Sequence, residues 1–499
     1  MLELAFRADR DGREPVYRQL AGFLRELIRT RRLAAGERLP ASRELSASLG
    51  LSRNTVSQAY QSLLDDGLLR AHVGQGTFVT GRAAGPAAPA DPAPAFAWEG
   101  LLARRTRALP LPGGVAEPER LRFDFRGGRA DVESLPVADL KRAFARAAAR
   151  AKELGDAVDP RGWPPLRRAV ARSLVARGID CRGREVAIVN GAQQALDLVA
   201  RALVDPGDTV ALEQPGYFGA ALAFAACEAH LVGVGVDGDG LRTDELARLL
   251  RARRVKLLYT TPAVQHPTGV SLSEARRRAL LALADDYQLP IVEDDYDCEL
   301  RYGGPPVPAL KNLDRAGRVI YVGTFSKALF PGLRVGYLVA PLPLLARVAI
   351  ARFGADLGGD LVTQLALAEL IETGALERHV RRLRKLHAAR LSALLDALAR
   401  HMPPGTRFRP PSGGHTLWVR LPDAADTDEV GRLALAAGIA LARGGSFALL
   451  AGPARAEGER HVSLAFARIP EARMDEAVRE LAEVVRRACG GRRRRRKVA

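Results

Sequence analysis

Residues 319–337 read VIYVGTFSKALFPGLRVGY, and this stretch decides what the large part of the chain is. It begins with an apolar segment rich in β-branched residues, which predicts a buried strand, and it exits through Gly-Thr-Phe-Ser-Lys. Lys327 therefore stands at the mouth of a strand, where desolvation favours the neutral amine of a Schiff-base nucleophile. Thr324, Ser326 and Arg334 supply the hydroxyls and the cation that a phosphate group needs. The ordinary alternative is a surface lysine after a strand.

The composition is that of a globular protein with several domains. The chain has 499 residues, of which 47% are hydrophobic and 26% are charged. No apolar run approaches the ~20 residues that a membrane helix needs, and the first residues lack the pattern of a secretory signal. The cysteines are widely spaced without a CxxC pair, which favours a reducing cytoplasm over a zinc or disulfide site. We expect a cytoplasmic protein with no metal centre and no membrane partner.

The charge points to a polyanionic partner, because the net charge is +18 and the isoelectric point is about 10.4. Consecutive basic residues occupy 492–497, inside a basic tail over 491–499 that we expect to be disordered. Such a tail could add nonspecific attraction to phosphates or have no role. Frequent arginine alone could also produce this net charge, which therefore only supports other evidence.

The first 80 residues show the pattern of a helix-turn-helix. Apolar residues at helical spacing and capping residues predict helices over 15–31, 42–49 and 52–67. Ser42 is the expected N-cap of the second helix and Gly50 its expected C-cap, and the third helix opens at Ser52 and is closed by Gly67. Two helices joined by a short turn that contains glycine have the spacing of a helix-turn-helix.

The third predicted helix has one apolar face and one face with residue types that contact DNA. Its inward positions are Val56, Ala59, Tyr60 and Leu63, and its outward positions are Arg53, Asn54, Thr55, Ser57 and Gln58. Such outward residues bond phosphates and base edges when a recognition helix lies in the major groove. Residues 68–79 then predict a wing, two short strands around a Gly-rich tip. A small interaction domain with a solvated polar helix is the alternative.

Residues 13–79 resemble the winged helix-turn-helix of the GntR regulator family through LPASREL, LSRNTVSQAY and GQGTFV. The resemblance implies a mainly helical DNA-binding domain over 1–80 whose partner is double-stranded operator DNA. It implies that four side chains contact DNA and that Gly76 lies at the wing tip; the four are Arg43, Arg53, Asn54 and Thr55. A linker rich in Ala, Pro and Gly follows over 81–120, since this composition cannot bury enough apolar surface to order itself.

From residue 121 onwards apolar strands alternate with amphipathic helices, which predicts an α/β domain whose parallel sheet is covered on both faces. The strands are predicted over 186–189, 209–212, 230–234, 256–260, 291–294, 319–323 and 335–339. Helices are predicted between them, for example over 192–203 and 273–287. Ligands of such sheets gather at the carboxyl ends of the strands.

Two of these strand ends carry groups that suit a flat, phosphorylated ligand. Gly191, Ala192 and Gln193 would offer backbone N–H groups to a phosphate at a helix start, with an ordinary capped turn as the alternative. Tyr217 follows the next strand, where its ring could lie over a flat ligand or simply belong to the core.

Two further strand ends carry a histidine and a carboxylate. The Pro-Thr-Gly turn would hold His266 at the rim of the sheet, unless His266 is a solvated loop residue. Asp294 closes an apolar strand and could hold a protonated ring nitrogen. Asp294 and Asp295 could instead bind a metal, but no further ligand nearby completes a set.

Taken in order, these motifs match the groups that pyridoxal 5′-phosphate (PLP) needs: a lysine for the aldehyde, an acid for the pyridine nitrogen, and hydroxyls and arginine for the phosphate. Residues 121–480 resemble a fold type I aminotransferase. The resemblance rests on DPRGWPPLRRAVARSL, VNGAQQALDLVARAL, DPGDTVALEQPGY, HPTG, VEDDYDCE and GTFSKALFPGLRVGY. It implies an α/β PLP-dependent transferase domain over 121–490, with a smaller C-terminal α+β subdomain.

The same resemblance implies roles for individual residues. Lys327 is the Schiff-base lysine, Asp294 is the partner of the pyridine nitrogen, and Tyr296 and Tyr217 bond the ring hydroxyl and line the ring. The residues that would hold the phosphate are Ala192, Gln193, Thr324, Ser326 and Arg334, at the turn that contains Gly191. His266 stands where true aminotransferases usually carry asparagine.

Together, the head and the large domain resemble the MocR/GabR subgroup of GntR regulators, in which an aminotransferase-like domain senses a ligand for a DNA-binding head. The resemblance implies a homodimeric, PLP-dependent transcription regulator that senses PLP or an amino compound. A working aminotransferase with a DNA-binding head is one alternative. Another is a large domain that only dimerises the head.

Residues 461–467, HVSLAFA, depart from the aminotransferase pattern. Aminotransferases usually bind the substrate carboxylate with an arginine in this strand, and Ser463 stands in its place. Arg460 and Arg468 are close in sequence but need not share its face. We therefore expect no carboxylate clamp here, and the effector could be PLP itself.

Overall fold

The computed structural model describes residues 6, 8–9, 14–30, 32–72, 76–80, 98–107, 109, 121–128, 131–155, 159–297, 299–302, 308–450 and 453–498. The chain divides into two compact units, Met1–Leu101 and Leu102–Ala499. The division falls within the segment predicted as a linker, most of which lies outside the described residues. Within the described part, no helix has the length and apolar character needed to cross a membrane.

The first unit, which we call the head, is a three-helix domain with a small sheet. Its elements are α1 (Val16–Arg29), β1 (Arg38–Leu39), α2 (Ser42–Leu49), α3 (Arg53–Asp65), β2 (Leu69–His72) and β3 (Gly76–Val79). Strand β3 pairs antiparallel with both β1 and β2. The apolar faces of α1 and α3 meet in one core, in which Leu20, Leu24, Val56 and Leu63 are fully buried. The predicted wing strands are therefore present, and residues 73–75 at their tip lie outside the described residues.

The structure confirms Gly50 as a cap of the head helices and shows that Ser52, where the third helix was predicted to open, is its N-cap. Ser52 Oγ accepts a hydrogen bond from the Thr55 N–H at 3.0 Å, and Gly50 ends α2 in the left-handed conformation at φ 64°. Ser42 was expected to be the N-cap of α2, and that expectation is wrong. Residue 41 is the N-cap, because the Glu44 carboxylate reaches back to the Ala41 N–H at 3.1 Å and starts the helix one residue earlier.

The second unit, which we call the large unit, is built on a central sheet. Its strands are β4 (Phe123–Asp124), β5 (Val186–Val189), β6 (Thr209–Gln214), β7 (His230–Asp237), β8 (Gly240–Leu241), β9 (Leu257–Thr260), β10 (Ile291–Asp294), β11 (Val319–Thr324), β12 (Gly336–Val339), β13 (Arg407–Phe408), β14 (Thr416–Arg420), β15 (Ile439–Ala440), β16 (Ala442–Arg443) and β17 (His461–Ala465). The central sheet has the order β5-β12-β11-β10-β9-β6-β7-β8. A smaller sheet has the order β13-β14-β17-β16, and β15 pairs with β4.

A one-turn helix in the predicted linker, α4 (Trp98–Leu101), ends the first unit. The large unit begins with a second one-turn helix in that linker, and its helices surround both of its sheets. They are α5 (Arg104–Arg107), α6 (Val137–Ala149), α7 (Pro164–Leu174), α8 (Ala192–Leu203), α9 (Phe218–Ala225), α10 (Thr243–Ala252), α11 (Glu274–Asp286), α12 (Leu310–Leu313), α13 (Leu342–Asp356), α14 (Leu361–Glu372), α15 (Ala375–His401), α16 (Thr427–Ala436), α17 (Pro453–Gly458) and α18 (Glu471–Val498). The backbone of α18 continues through most of 491–499, so the expectation of a disordered tail is wrong for that backbone.

The central sheet is mixed, whereas the sequence predicted a parallel sheet. Strands β11, β10, β9, β6 and β7 are parallel to their neighbours in that series, but β12 runs antiparallel to both β11 and β5. The reason is the short connection from β11 to β12 through a 3-10 turn at Pro331–Leu333, which is too short for a crossover helix. The two sheets belong to two subdomains, and the smaller one has its own core, which includes Val462, Leu464 and Phe466.

Candidate functional site

Sheet register brings the predicted site residues to one edge of the central sheet. Strands β5, β12, β11 and β10 are neighbours, and Asp294 pairs with Val322 while Thr324 pairs with Gly336. The end of β10, the end of β11 and the turn after β5 therefore lie side by side. A Cβ added to Gly336 would come within 2.8 Å of the Gly323 carbonyl oxygen, so the backbones approach here as closely as only glycine permits.

Asp294 lies at this edge, and only one of its two carboxylate oxygens has a hydrogen-bond partner among the described residues. Oδ2 accepts a hydrogen bond from the Tyr259 hydroxyl at 2.9 Å. Oδ1 is buried and has no hydrogen-bond partner among the described residues. Burial raises the pKa of Asp294 to about 7, against the lowering effect of the Tyr259 hydrogen bond. A buried acceptor without a donor fits the protonated ring nitrogen of a pyridine.

Lys327 follows β11 and is half-buried. Burial lowers the pKa of its amine, and the carboxylates of Asp297 and Asp294 partly oppose that lowering. A larger fraction of the Lys327 amine is therefore neutral than in a free lysine, and the neutral amine is the form that attacks an aldehyde.

His266 is enclosed by aromatic rings rather than solvated. The rings of Tyr217, Tyr296 and Phe447 meet it edge-on, with centroids at 5.9, 5.7 and 5.3 Å. Burial, together with repulsion from Lys327, lowers the pKa of His266 to about 3, so its imidazole is neutral at physiological pH. His266 can therefore offer a ring nitrogen to a ligand without adding a positive charge beside Lys327.

The turn after β5 has the geometry of an anion site. Gly191 takes φ 82° and is followed by α8, whose first-turn N–H groups include those of Ala192 and Gln193. Arg334 Nη2 donates to the Asn190 carbonyl at 2.7 Å, which brings its guanidinium beside this helix start. The Gln193 side chain is already engaged, since its Oε1 accepts from the Tyr217 hydroxyl at 3.0 Å. Its Nε2 donates to the Gly219 carbonyl at 2.8 Å, so we expect its contribution to a ligand to come from the backbone N–H at the helix start.

Two hydroxyls stand on the other side of this turn. The Thr324 hydroxyl donates to Ser326 Oγ at 3.0 Å, and the Ser326 N–H donates to Thr324 Oγ1 at 3.2 Å. The Arg334 guanidinium, these hydroxyls and the start of α8 lie at the same edge of the sheet, and they are the groups that a phosphate requires. With Asp294 and Lys327 at the same edge, the donor set fits PLP.

In the head, the side chains predicted to contact DNA differ in their exposure and in their hydrogen bonds. Arg43, Arg53 and Asn54 are exposed. Thr55 is half-buried, and its hydroxyl lies 2.8 Å from Ser52 Oγ in the cap of α3. Gly76 begins β3 at φ 114°, where an added Cβ would lie 2.8 Å from Arg38 Nε.

Comparison with known proteins agrees with both halves of this structure. Residues 127–481 match the family described as aminotransferase class I and II, and residues 16–79 match the family described as bacterial regulatory proteins, gntR family. The chain is 35% identical over 448 residues to the probable rhizopine catabolism regulatory protein MocR of Rhizobium meliloti, which covers 86% of this chain and 87% of that protein. The chain belongs to the MocR/GabR type of GntR-family regulators.

Other relatives of this MocR-type chain include regulators and enzymes. It is 33% identical to the HTH-type transcriptional regulator TauR of Rhodobacter capsulatus, over 95% of this chain and 97% of that protein. Its large unit is similar to the crystal structure of LysN, the α-aminoadipate aminotransferase of Thermus thermophilus, complexed with N-(5′-phosphopyridoxyl)-L-leucine. That likeness has a TM-score of 0.73 and 31% identity, and it covers 79% of this chain and 99% of that one. PLP is the cofactor of this fold type I domain.

Three site features of this MocR-type chain escaped sequence reasoning because each depends on distant residues. His415 Nδ1 lies 2.9 Å from Asp297 Oδ2, and both side chains are buried. Glu213 accepts from the Thr261 hydroxyl at 2.7 Å and supports the loop that carries His266. Tyr259 is the partner of Asp294. Asp297 stands in the conspicuous run VEDDYD, but no local pattern marks its partner, 118 residues away.

Ser463 lies on β17 opposite Trp418 and Ala442, and it is buried. Its neighbours Val462 and Leu464 point into the core of the small subdomain, so strand alternation turns Ser463 to the other face.

Neither Arg460 nor Arg468, the arginines near Ser463 in sequence, supplies a cation on the face of β17 that carries Ser463. Arg468 contacts the Asp124 carboxylate at 3.3 Å. Arg460 is exposed and lies 3.6 Å from Asp423.

Proposed function

We propose that the chain is a homodimeric, cytoplasmic transcription regulator whose PLP-binding domain senses PLP itself or an amino compound and thereby controls DNA binding by the head. The observation that carries the proposal is the buried Oδ1 of Asp294, which has no hydrogen-bond partner in the described part of the chain and lies at the same sheet edge as Lys327, in a chain that also has a GntR head. Bound PLP supplies an aldehyde and an electron-accepting ring. The chain's own residues then determine whether that chemistry is used for sensing.

In this proposal Lys327 holds the cofactor through its amine, and Asp294 fixes the ring nitrogen. Tyr217 and His266 line the ring, and Tyr296 faces the ring hydroxyl. The phosphate is held by the helix start at Gly191, Ala192 and Gln193 and by the side chains of Thr324, Ser326 and Arg334. The contacts already present among these residues support the assignment, since they orient the groups before a ligand arrives.

The face of β17 that carries Ser463 supports sensing rather than turnover. An amino-acid substrate needs a cation for its carboxylate, and a buried serine supplies only a neutral hydroxyl. An active aminotransferase remains the second candidate, because Lys327 has the lowered pKa that transamination requires.

A gel-shift titration of the protein's own upstream DNA, with and without PLP, tests the sensor. We expect PLP to change the DNA affinity of the wild type and of Lys141→Ala, an exposed lysine that serves as control. Lys327→Ala should lose both the response and the visible absorption band of lysine-bound PLP. A Lys327→Ala protein that responds to PLP like the wild type would refute the role of Lys327.

A coupled transamination assay with common amino acids separates the two candidates. Steady turnover that disappears in Lys327→Ala would favour the enzyme. No turnover, together with a PLP-dependent gel shift, would favour the sensor.

The head is tested separately with Arg53→Ala, which removes an exposed cation from the start of α3. Binding to the upstream DNA should weaken, and the salt dependence of log Kd should fall by about one unit if Arg53 contacts a phosphate. Arg29→Ala is the matched control, since Arg29 is also exposed but is paired with Glu26 in α1. Equal affinities of Arg53→Ala and wild type would count against the DNA assignment of α3.

A further inference from the structure

Three residues of β14 and three of β17 form one face of the small sheet. Directly opposed residues of an antiparallel pair point to the same side, and the residues that alternate with these lie in the core of the small subdomain. We call this side the Ser463 face, and it consists of Thr416, Trp418, Arg420, His461, Ser463 and Ala465. Its chemical character determines what kind of ligand can lie against it.

The basic residues of the Ser463 face are neutralised or neutral. Arg420 lies 2.9 Å from the Asp423 carboxylate and 3.5 Å from that of Glu457. His461 is buried, and burial lowers the pKa of its imidazole, so the ring is neutral at physiological pH. A carboxylate on this face would therefore lack the cation that it needs.

The indole of Trp418 crosses the Ser463 face. It stacks on the His461 ring at 4.9 Å, with the two planes 10° apart. Gly444 follows β16, which pairs with the other edge of β17, and a Cβ added to it would lie 2.9 Å from Trp418 Cη2. The indole thus reaches across the strand that carries Ser463, because residue 444 has no side chain. Trp418 is half-buried, so a ligand at this face meets an aromatic ring.

Phe447 connects this indole to the PLP site. Its ring meets the Trp418 ring edge-on at 5.7 Å and the His266 ring at 5.3 Å. The Phe447 carbonyl accepts a hydrogen bond from the Gly216 N–H at 2.9 Å, one residue before Tyr217. The rings of Trp418, Phe447 and His266 therefore form a continuous aromatic wall from the Ser463 face to the surroundings of Lys327.

We propose that the amino compound recognised beside Lys327 is an amine with an aromatic body and without a carboxylate, and that Trp418 and Phe447 receive that body. The inference rests on the proposed function and names the class of its small-molecule effector. A carboxylate on the Ser463 face would lose water without gaining a cation, which is unfavourable. An aromatic ring there gains buried apolar area and edge-to-face contacts.

Two stable adducts that differ only in a carboxylate test the class of ligand. They are N-(5′-phosphopyridoxyl)-phenethylamine and N-(5′-phosphopyridoxyl)-L-phenylalanine, titrated calorimetrically into the full chain without PLP, so that binding is measured and no reaction is needed. We expect the phenethylamine adduct to bind at least about tenfold more tightly, since a desolvated carboxylate without a cation is costly. Equal affinities, or tighter binding of the phenylalanine adduct, would overturn the proposal.

Trp418→Ala tests the aromatic wall. It should weaken binding of the phenethylamine adduct about tenfold and change that of N-(5′-phosphopyridoxyl)-methylamine, which has no aromatic body, by less than about twofold. Trp418→Phe, which keeps a ring, should retain most of the affinity for the phenethylamine adduct. An equal loss for both adducts in Trp418→Ala would overturn the proposal, because the substitution would then disturb the PLP site as a whole.

The matched control is Trp98→Ala. Trp98 is 68% exposed and belongs to the first unit, so this variant should bind both adducts like the wild type. A loss of the phenethylamine adduct in Trp98→Ala as large as that in Trp418→Ala would count against the aromatic wall.

A failure of the proposed function is distinguishable from a failure of this inference. If the wild type does not bind even the methylamine adduct, the PLP site is refuted and the inference with it. If the adducts show the expected preference but neither PLP nor PLP with phenethylamine changes the gel shift of the upstream DNA, sensing is refuted and the class of ligand is supported.

Discussion

Asp294 shows how burial prepares a single residue for a cofactor. Its Oδ2 is satisfied by Tyr259, and its Oδ1 is buried without a donor among the described residues. An unsatisfied buried acceptor costs about 1–3 kcal/mol, and more for a charged group, so a ligand that donates a proton here recovers that cost. The pKa of about 7 has the same cause, because burial disfavours the carboxylate more than the Tyr259 hydrogen bond and the Lys327 charge favour it.

Replacing Asp294 with asparagine should weaken PLP binding at least about tenfold, since a charge-assisted hydrogen bond is worth about 1.5–3 kcal/mol. The measurement is a titration of PLP absorbance into the apo protein. Asp286→Asn is the matched control, because Asp286 is exposed in the last turn of α11. A PLP affinity of Asp294→Asn within twofold of the control would contradict the role of the carboxylate.

His266 should make the unfolding free energy of the apo protein depend on pH. Its folded pKa of about 3 lies below the ordinary value of 6.5, so between these pH values the unfolded chain binds a proton that the folded chain does not. Stability therefore rises with pH through this window and is lost as the pH falls from about 6.5 towards 3.

The variant His266→Asn cannot bind that proton and should lose less stability than the wild type between pH 7 and pH 5. We expect a difference of about 1–2 kcal/mol in the change of unfolding free energy, measured by urea denaturation. Parallel losses in the two proteins would mean that His266 is protonated in the folded state.

At the scale of elements, α3 is the clearest case of local determination. Its apolar positions are buried as predicted, and its start is set by the Ser52 side chain. Helix α2 begins differently, since Glu44 caps it through the Ala41 N–H and Ser42 is already helical. Serine before an apolar run was therefore a correct signal in one helix and an incorrect one in its neighbour.

This contrast makes a paired experiment possible. Ser52→Ala removes a cap hydrogen bond and should destabilise α3 by about 1 kcal/mol, which hydrogen exchange of the α3 amides in the full chain would detect. Ser42→Ala should change the exchange of α2 much less. Equal effects of the two substitutions would show that the Ser52 hydroxyl is not the cap in solution.

Strand β12 illustrates a limit of pattern reading. Its apolar sequence predicted a buried strand within two residues of the observed bounds, but a buried strand looks the same in either direction. The direction depends on the length of the connection from β11, which ends in a 3-10 turn and leaves no room for a crossover.

Within the large unit, contacts between segments distant in sequence join the two subdomains. The loop after β10 carries Asp297, and the segment before β14 carries His415, whose ring lies 2.9 Å from the Asp297 carboxylate. The Gly414 N–H also donates to the Leu300 carbonyl at 2.7 Å. Burial raises the pKa of Asp297, but His415 and Lys327 outweigh burial and hold it below the usual range. This contact therefore couples the small subdomain to the PLP site.

Breaking this buried pair should be costly. His415→Leu leaves the Asp297 carboxylate buried without its partner and should reduce the unfolding free energy of the large unit by about 3 kcal/mol, as urea denaturation would show. His401→Leu is the control, because its partner Asp475 is half-exposed and such pairs contribute about 1 kcal/mol or less. Similar losses in the two variants would mean that the Asp297–His415 pair does not stabilise the subdomain contact.

The sequence by itself determined the two kinds of domain, the α3 surface, and Lys327 at a strand exit in a series of motifs that suits PLP. These features depend on residues close together in the chain, where helical or strand periodicity and turn residues act directly. Only the tertiary structure decided the direction of β12, the Asp294 oxygen that lacks a partner among the described residues, and the pairing of Asp297 with His415. Each of these arises from packing between distant segments, and a buried or unpaired charge becomes visible only when its surroundings are known.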